Sequence, residues 1–327
     1  MKILVTGAAG FIGYHLVRRL ADDGHDIVCI DNLNDYYDVE LKQGRLKELS
    51  AFPNACFVKM DLCDAEQLNA LFHKEKFDIV LHLAAQAGVR YSLINPNVYI
   101  SSNIQGFLNI LEAVKLYPPR HLVYASTSSI YGLNNKAPFS EIDKTVQPAS
   151  LYAATKLANE HMAHTYSHLY KIPTTGLRFF TVYGPWGRPD MALFIFTKAI
   201  VEGMPIKVFN EGNMQRDFTY IDDIVEGIIR TMNQPPEPDL SIAPAVIYNI
   251  GNGSPIELLD FVHTIEEALG KKAIIQYAPM QEGDVVSTWA DCSALMRDTG
   301  FKPFTPLSAG IEKFVYWFKG YYQGTYS

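Results

Sequence analysis

The most constraining feature of this chain is a glycine-rich turn between a strand-like run and a helical segment. Residues 2–6 are mostly apolar or β-branched, Gly-Ala-Ala-Gly-Phe-Ile-Gly occupies positions 7–13, and helix-forming residues follow. Gly7, Gly10 and Gly13 permit a tight turn and let a diphosphate approach the N–H groups at a helix start. This order predicts a dinucleotide-binding fold, whereas the same glycines without that context would indicate only a loop.

An acidic residue at the end of the second apolar run discriminates between cofactors. Asp31 follows residues 27–30, and a carboxylate there accepts hydrogen bonds from a free adenosine ribose but repels a 2′-phosphate. The next residues, 32–34, include no cation to offset that repulsion. We therefore predict NAD rather than NADP as the cofactor; the alternative is that Asp31 only terminates a strand.

Length and composition are those of an ordinary globular protein with one large or two modest domains. The chain has 327 residues, of which 48% are hydrophobic and 19% charged, and a formal net charge of −7. The negative balance argues against nucleic-acid binding, although local cations can still hold an anionic substrate. The sequence has no apolar run long enough for a bilayer and no signal peptide, so we expect a cytoplasmic protein without membrane contact.

The cysteines do not indicate a metal site. Cys29, Cys56, Cys63 and Cys292 lack paired metal-ligand spacing. We expect them to be reduced, buried and small apolar residues, and we predict no metal.

Apolar runs alternate with helical segments through the first 178 residues. Strands are predicted at 2–6, 27–30, 56–58, 77–81, 121–125 and 174–177, and helices at 36–49, 64–72, 97–116 and 151–170. Strands alternating with helices of this length require parallel pairing and right-handed crossovers. The pattern predicts a Rossmann-type, doubly wound α/β fold.

This rhythm breaks after residue 178, where a loop rich in glycine and proline occupies 184–189. Later strands are predicted at 206–209, 246–250 and 273–277, and helices at 221–232, 256–269 and 307–322. We therefore expect an NAD-binding domain at 1–178, with later returns near 216–250. Residues 179–327 would form a smaller C-terminal α/β substrate lobe over the carboxyl ends of the strands.

Tyr152 and Lys156 are the predicted chemical centre, at the start of the helix that follows the fifth strand. Their spacing places both side chains on one helix face. An adjacent ammonium and a positive nicotinamide ring would lower the phenol pKa from ~10 and make Tyr152 a base. The residues at 126–129, at the end of the preceding strand, carry hydroxyls that we expect to lie near Tyr152. The alternatives are a surface helix pair and ordinary turn or capping hydroxyls.

These motifs resemble the extended short-chain dehydrogenase/reductase family and, within it, the UDP-glucuronate 4-epimerases. The resemblance covers essentially the whole chain. The residues that match the family pattern are Gly7, Gly10, Gly13, Thr127, Tyr152 and Lys156. The stretches that look like the glucuronate epimerase subgroup are 31–38, 86–92, 180–192 and 279–285.

The resemblance implies residues for catalysis and for both ligands. The implied catalytic residues are Thr127, Tyr152 and Lys156. The implied NAD-binding residues are Gly7, Gly10, Phe11, Ile12, Gly13, Asp31, Asn32, Lys42, Asp61, Leu62, Leu83, Ala84, Ala85, Tyr152 and Lys156. The implied substrate-binding residues are Gly88, Arg90, Thr127, Ser128, Ser129, Thr181, Arg188, Met191, Lys207, Phe209, Arg216, Gln281 and Asp284.

The resemblance also implies how the nucleotide is held. Arg216 would bind the diphosphate, since a guanidinium grips phosphate oxygens bidentately; its alternative role is a surface ion pair with Asp217. Asp284 would bind the uridine ribose, and residues 207–209 the uracil through backbone groups.

The implied reaction converts UDP-glucuronate to UDP-galacturonate through a 4-keto sugar, whose ring rotates before it is reduced again. Thr127, Ser128 and Thr181 would hold the sugar carboxylate with neutral hydroxyls, and Arg188 would lie close by. Because the intermediate is a β-keto acid, this cradle must also suppress loss of carbon dioxide.

Other functions remain open at this point. A sugar-nucleotide dehydratase is disfavoured, because Ser128 and Ser129 stand where an acid and a base are usual. A UDP-glucuronate decarboxylase and other UDP-sugar 4-epimerases remain alternatives, and a non-catalytic NAD-binding scaffold is a remote one. Apolar stripes on helices 97–116 and 151–170 favour a homodimer, as in the family, although burial within one chain would also explain them.

Overall fold

The structure is a computed structural model that describes residues 1–134, 136–237, 242–280 and 285–322. Two residues predicted to bind substrate, Gln281 and Asp284, lie outside the described residues.

The strands follow closely the apolar runs of the sequence, and short strands appear between them. Their bounds are β1 Lys2–Thr6, β2 Asp26–Asp31, β3 Ala55–Lys59, β4 Ile79–His82, β5 His121–Thr127, β6 Thr174–Phe179, β7 Thr181–Tyr183, β8 Pro205–Phe209, β9 Gln215–Tyr220, β10 Ala245–Ile250, β11 Pro255–Glu257 and β12 Ile274–Ala278.

The helices lie between these strands. Their bounds are α1 Phe11–Asp22, α2 Val39–Leu49, α3 Ala65–Glu75, α4 Tyr91–Ile94, α5 Pro96–Tyr99, α6 Gly106–Leu116, α7 Leu151–Tyr170, α8 Ala192–Glu202, α9 Ile221–Met232, α10 Leu258–Leu269, α11 Ser293–Thr299 and α12 Leu307–Tyr321. Short 3₁₀ turns cover Ser128–Tyr131 and Asn210–Gly212, and a π-helical segment covers Ile100–Gln105.

Seven parallel strands form the central sheet in the order β10-β6-β5-β4-β1-β2-β3. Alternate residues of β1 face opposite sides: Ile3 and Val5 belong to one buried apolar cluster and Leu4 to another. Helices therefore cover both faces, as the nearly continuous apolar strands require. The predicted doubly wound α/β fold is confirmed.

Two small sheets lie beside the central one. Strand β9 pairs with β7 in parallel and with β11 antiparallel, and β12 pairs with β8 in parallel. Strands β7, β9 and β11 were not predicted, because each is short or carries charged residues within it. Strand β10 returns to the central sheet and pairs with β6.

Five predicted helices have different bounds in the structure, and α3 and α12 are two of them: the first runs three residues beyond its predicted end and the second stops one residue before it. The segment predicted as one helix at 97–116 is divided into α5, the π-helical segment and α6. Helix α2 begins at Val39, because Asp38 caps it by accepting from the Glu40 N–H. Residues 256 and 257 belong to β11, so α10 begins at Leu258.

The cysteine prediction is half correct. All four cysteines are free; Cys29 and Cys292 are buried, whereas Cys56 and Cys63 are exposed. Cys56 is exposed because β3 is the edge strand of the central sheet. Within the described residues, no group of His, Cys, Asp and Glu side chains is arranged to hold a metal. None of the helices there combines the length and apolar character needed to span a bilayer.

Candidate active site

The glycine turn has the backbone geometry that a dinucleotide site requires. Gly7 has a φ of +71°, and a Cβ atom on it would lie 2.8 Å from the Ala84 nitrogen. A Cβ atom on Gly13 would lie 2.1 Å from the Gly7 oxygen, because α1 packs directly on the turn. Any larger residue would displace the backbone that has to approach a diphosphate.

Asp31 ends β2 beside that turn and organises the loops around it. Its Oδ2 atom accepts a hydrogen bond from the Ala9 N–H at 3.1 Å, and its Oδ1 atom accepts one from the Leu33 N–H at 2.8 Å. Burial raises the pKa of Asp31, and the Leu33 N–H opposes that rise. The Asn32 amide donates to Asp61 Oδ2 at 2.9 Å, which joins the loops after β2 and β3.

A cavity of about 360 Å³ extends from the glycine turn to the first turns of α7. All residues predicted to bind the cofactor line it: Gly7, Gly10, Phe11, Ile12, Gly13, Asp31, Asn32, Lys42, Asp61, Leu62, Leu83, Ala84, Ala85, Tyr152 and Lys156. The structure thus brings together residues from the carboxyl ends of several parallel strands, where ligands of doubly wound sheets bind.

The residues predicted to bind substrate are more dispersed. Those on the wall of the same cavity are Gly88, Thr127, Ser128, Ser129, Thr181, Arg188 and Met191. Among the described residues, those predicted but not on that wall are Arg90, Lys207, Phe209 and Arg216. Arg90 and Phe209 nevertheless contact each other, with the guanidinium carbon 5.5 Å from the ring centroid. This contact joins the loop after β4 to the end of β8.

Arg216 lies on β9, the neighbour of the strand that carries Thr181. Its Nη1 atom donates to the carbonyl oxygens of Gln215 at 2.8 Å and Val286 at 3.1 Å. Asp217, the alternative ion-pair partner, is buried and accepts backbone N–H bonds from Asn252, Gly253 and Ala290. The carboxylate of Asp217 therefore organises the loop after β10, and the diphosphate role of Arg216 stays a prediction.

Tyr152 lies on the cavity wall next to Thr127, with which it is hydrogen-bonded. Burial raises the pKa of Tyr152, and the charge of Arg188 and the Thr127 hydrogen bond oppose the rise. The predicted lowering of this pKa is therefore not produced by the protein chain alone, because burial outweighs the surrounding charges. A positive ring bound beside the phenol would act in the opposite direction to burial.

Lys156 is held one helical turn further along α7. Its ammonium donates to the Ala125 carbonyl at 2.9 Å, and burial lowers its pKa to about 8 while the Glu160 carboxylate opposes that shift. The protonated form therefore prevails at neutral pH. Glu160 is itself buried and accepts hydrogen bonds from the Ser126 hydroxyl and from Arg178.

Arg188 enters the cavity as part of an ion pair with Asp190. Its Nε atom donates to Asp190 Oδ1 at 3.0 Å, and its Nη2 atom donates to Asp190 Oδ2 at 2.5 Å. The Tyr36 hydroxyl donates to Asp190 Oδ2 at 2.9 Å and so fixes the carboxylate. The prediction named Arg188 but missed Tyr36 and Asp190, which orient it; both lie within stretches that carried the family resemblance.

The π-helical segment contributes a further residue that the sequence analysis missed. Asn103 donates from Nδ2 to the Gln86 carbonyl at 3.0 Å and to Thr155 Oγ1 at 3.1 Å, and its Oδ1 accepts from the Gln86 N–H. Thr155 in turn donates to the Tyr152 carbonyl at 2.8 Å. Asn103 therefore ties the start of α7 to the cavity wall, and the polar run 101–103 was its only sequence signal.

The comparison with protein-family models identifies the family. The model described as "NAD dependent epimerase/dehydratase family" matches residues 3–251, which is most of the chain. The chain belongs to the NAD dependent epimerase/dehydratase family. The cavity of this family member fits NAD, because the glycine turn leaves room for a diphosphate beside its backbone and the Asp31 carboxylate lies on the same wall at the end of β2.

Relatives of this epimerase/dehydratase chain cover its full length. It is 48% identical to a probable UDP-glucuronate 4-epimerase of Rhizobium meliloti, over 99% of this chain and 98% of the relative. Its structure is similar to that of UDP-glucuronic acid 4-epimerase from Bacillus cereus in complex with UDP-glucuronic acid and NAD, with a TM-score of 0.91, 36% identity and coverage of 98% and 100%. It is also similar to UDP-glucose 4-epimerase from Thermotoga maritima with UDP-glucose, with a TM-score of 0.88, 30% identity and coverage of 99% and 100%.

Proposed function

We propose that this NAD-dependent enzyme interconverts UDP-glucuronate and UDP-galacturonate by epimerisation at C4. The observation that carries the proposal is a set of neutral hydroxyls, on Thr127, Ser128, Ser129 and Thr181, that share one cavity with Tyr152 and the glycine turn. Arg188 completes that end of the cavity. Relatives that act on UDP-glucuronate at about half sequence identity support the choice of substrate.

Tyr152 and Thr127 carry the proton chemistry in this proposal. Tyr152 removes the proton of the C4 hydroxyl, and Thr127 shares the hydrogen bond that positions the phenol. Bound NAD supplies a reversible acceptor for the hydrogen on C4. The protonated Lys156, anchored on the Ala125 carbonyl, adds positive charge one turn away from Tyr152.

The hydroxyl set would hold the sugar carboxylate without fixing the whole ring. Hydroxyls bind a carboxylate by hydrogen bonds, and these bonds can be exchanged while the ring of the 4-keto sugar rotates. Asp190 already neutralises much of the charge on Arg188, so the sugar carboxylate is not locked in a second strong ion pair. Held in this way, the β-keto acid retains its carboxyl group.

The remaining predicted roles stay part of the proposal. Arg216 binds the diphosphate, residues 207–209 the uracil, and Asp284 the uridine ribose. Residues 1–178 form the NAD-binding part and 179–327 the UDP-sugar-binding lobe; pairing of β10 with β6 supports the return of the chain near 216–250.

A direct test is incubation of the purified protein with UDP-glucuronate, without added NAD, followed by chromatography and mass analysis. We expect an isomer of unchanged mass that co-elutes with UDP-galacturonate. Loss of the mass of carbon dioxide would identify a decarboxylase, and loss of water a dehydratase. Turnover of UDP-glucose in place of the uronate would assign a different 4-epimerase, and no turnover with any UDP-sugar would favour a scaffold.

We also propose a homodimer built on the helices around α6 and α7. Ile100, Leu116, Leu169 and Tyr170 on these helices are between 44% and 60% exposed in the single chain. Apolar side chains grouped on neighbouring helices indicate an association surface. Light scattering of the purified protein should give twice the mass of one chain, and the mass of one chain would refute the proposal.

A cytoplasmic location is the last part of the proposal. The buried Cys29 and the exposed Cys56 lie on adjacent strands, and both are free thiols. Free thiols in this arrangement persist in a reducing compartment.

A further inference from the structure

A buried arginine outside the cavity wall connects the two halves of the site. Arg45 lies on α2 and is fully buried. Its Nη1 atom donates to the Ala9 carbonyl at 2.7 Å, inside the glycine turn, and its Nη2 atom donates to the Trp186 carbonyl at 2.7 Å. Trp186 precedes Arg188 by two residues, so one guanidinium touches both the cofactor turn and the loop that delivers Arg188.

The loop at 184–189 is held in place by more than this one contact. His15 on α1 donates from Nε2 to the Pro185 carbonyl at 2.9 Å, next to the carbonyl that Arg45 binds. Trp186 has a φ of +60°, an uncommon conformation for a side chain of its size. Its ring lies 5.4 Å from that of Tyr14, so α1 supports the strained residue. Helices α1 and α2 thus fix the consecutive carbonyls of Pro185 and Trp186 in the loop at 184–189.

The guanidinium transmits displacement because its donors are rigidly connected. Nη1 and Nη2 belong to one planar group, so a shift of the Ala9 carbonyl moves the preferred position of the Trp186 carbonyl. The side chain of Arg45 donates to these two carbonyls and to the Tyr37 hydroxyl, all of them neutral. An anionic diphosphate at the glycine turn would therefore add countercharge to a buried cation and hold it more firmly.

We propose that Arg45 is a positioning residue that couples NAD binding to UDP-sugar binding, by joining the Ala9 and Trp186 carbonyls. The inference rests on the proposed function for the identity of the sugar nucleotide. Each ligand stabilises one end of the same hydrogen-bonded bridge. By linkage, each must then increase the affinity for the other by the same factor.

The test measures exchange of bound NAD for isotope-labelled NAD in the purified holoprotein, with and without saturating UDP-glucuronate. For the native protein we expect UDP-glucuronate to slow exchange by about fivefold or more, the lower end of typical coupling factors. For Arg45→Lys and Arg45→Met we expect the slowing to fall below about twofold. Lysine keeps the charge but has a single donor group that cannot span both carbonyls in the guanidinium geometry.

Arg19→Lys provides the matched control. Arg19 on α1 also joins distant elements, through its Nη1 bond to Glu226 at 3.0 Å, but it donates to the carboxylates of Asp23 and Glu226 rather than to carbonyls of the glycine turn or of the loop at 184–189. We expect the native slowing factor to persist in this variant. Equal factors in the Arg45 variants and the native protein would overturn the coupling role.

Two measurements keep the test decisive. If neither Arg45 variant folds, amide hydrogen exchange in residues 43–49 of the native holoprotein is compared with and without UDP-glucuronate. Slower exchange in the presence of UDP-glucuronate supports the bridge, and unchanged exchange overturns it. Calorimetric titration with UDP-glucuronate is performed in parallel. Failure of the native protein to bind this ligand would contradict the proposed function, whereas binding without an Arg45-dependent factor would contradict only the bridge.

Discussion

The cofactor end and the sugar end of the cavity are built in different ways. At the cofactor end, the turn at 7–13 uses backbone groups and the absence of side chains, and Asp31 accepts a hydrogen bond from the Ala9 N–H of that turn at 3.1 Å. At the sugar end, Thr181 and Arg188 come from a strand and a loop whose positions depend on distant residues. A contiguous motif therefore defines one ligand site, whereas tertiary packing assembles the other.

Replacement of Tyr152 should give the largest loss of activity. It should not weaken ligand binding at either end of the cavity. We expect Tyr152→Phe to lower kcat by about 10²-fold to 10⁴-fold, because it removes the general base while retaining the ring. NAD content and UDP-glucuronate affinity should remain near native values. Steady-state kinetics and calorimetry would check this, and native kcat in the variant would remove Tyr152 from the mechanism.

Replacement of Gly13 should damage the cofactor end selectively. In Gly13→Ala the new Cβ would lie 2.1 Å from the Gly7 oxygen, so the turn must shift. Overpacking of this kind costs about 1–3 kcal/mol, which as a loss of binding free energy corresponds to roughly 5-fold to 150-fold weaker NAD binding. Gly320→Ala, on α12, is a control, because a Cβ atom there meets nothing within 4 Å and its φ is not in the left-handed region. Unchanged NAD retention in Gly13→Ala would refute the close-approach explanation.

Replacement of Thr181 should damage the sugar end selectively. We expect Thr181→Val to raise the KM for UDP-glucuronate by about 3-fold to 10-fold, because one hydroxyl is lost while neighbouring hydroxyls remain. The fraction of decarboxylated product should also rise, and NAD content should not change. Thr264→Val, on α10 and outside the cavity wall, controls for loss of a threonine hydroxyl. A native product ratio and KM would remove Thr181 from the carboxylate cradle.

A further expected effect concerns the acid sensitivity of folding, through His82 on β4, rather than either ligand site. Burial lowers the pKa of His82 to about 3, and its Nδ1 lies 2.9 Å from Thr6 Oγ1. The unfolded chain takes up a proton near pH ~6.5 that the folded chain does not, so stability is lost as pH falls below that value. The loss is at most about 1.4 kcal/mol per pH unit for this group.

Urea unfolding between pH 7 and pH 5 would measure that slope. His82→Asn keeps an acceptor for Thr6 and removes the titrating group, so its stability should depend less steeply on pH than that of the native chain. Equal slopes would show that His82 does not contribute to acid sensitivity.

The sequence predicted best where local chemistry decides the structure. Helices α7 and α9 have the predicted bounds, since amphipathic spacing defines both and Ser150 caps the first. The residues predicted to bind the cofactor could be named because they follow the ends of strands that alternate regularly with helices. The sequence therefore predicted the central sheet and the cavity wall around the glycine turn.

Long-range interactions account for what could not be predicted. Within the π-helical segment, Asn103 bonds to the backbone of Gln86 and to Thr155, partners that no local pattern reveals. The bridge formed by Arg45 joins residues 36 and 141 positions away in the chain. The raised pKa of Tyr152 reflects burial, which depends on the whole cavity wall. These features arise from contacts between residues that are far apart in the sequence.

The late position of β10 in the chain affects the order in which the central sheet forms during synthesis. Strand β10 pairs with β6 along Ala245–Ile250, after β7, β8 and β9 have been added on the sugar side. Until those residues leave the ribosome, the edge of β6 has no neighbour on that side, and the nascent sheet presents unpaired backbone groups. Residues 179–244 are thus synthesised before the central sheet is complete.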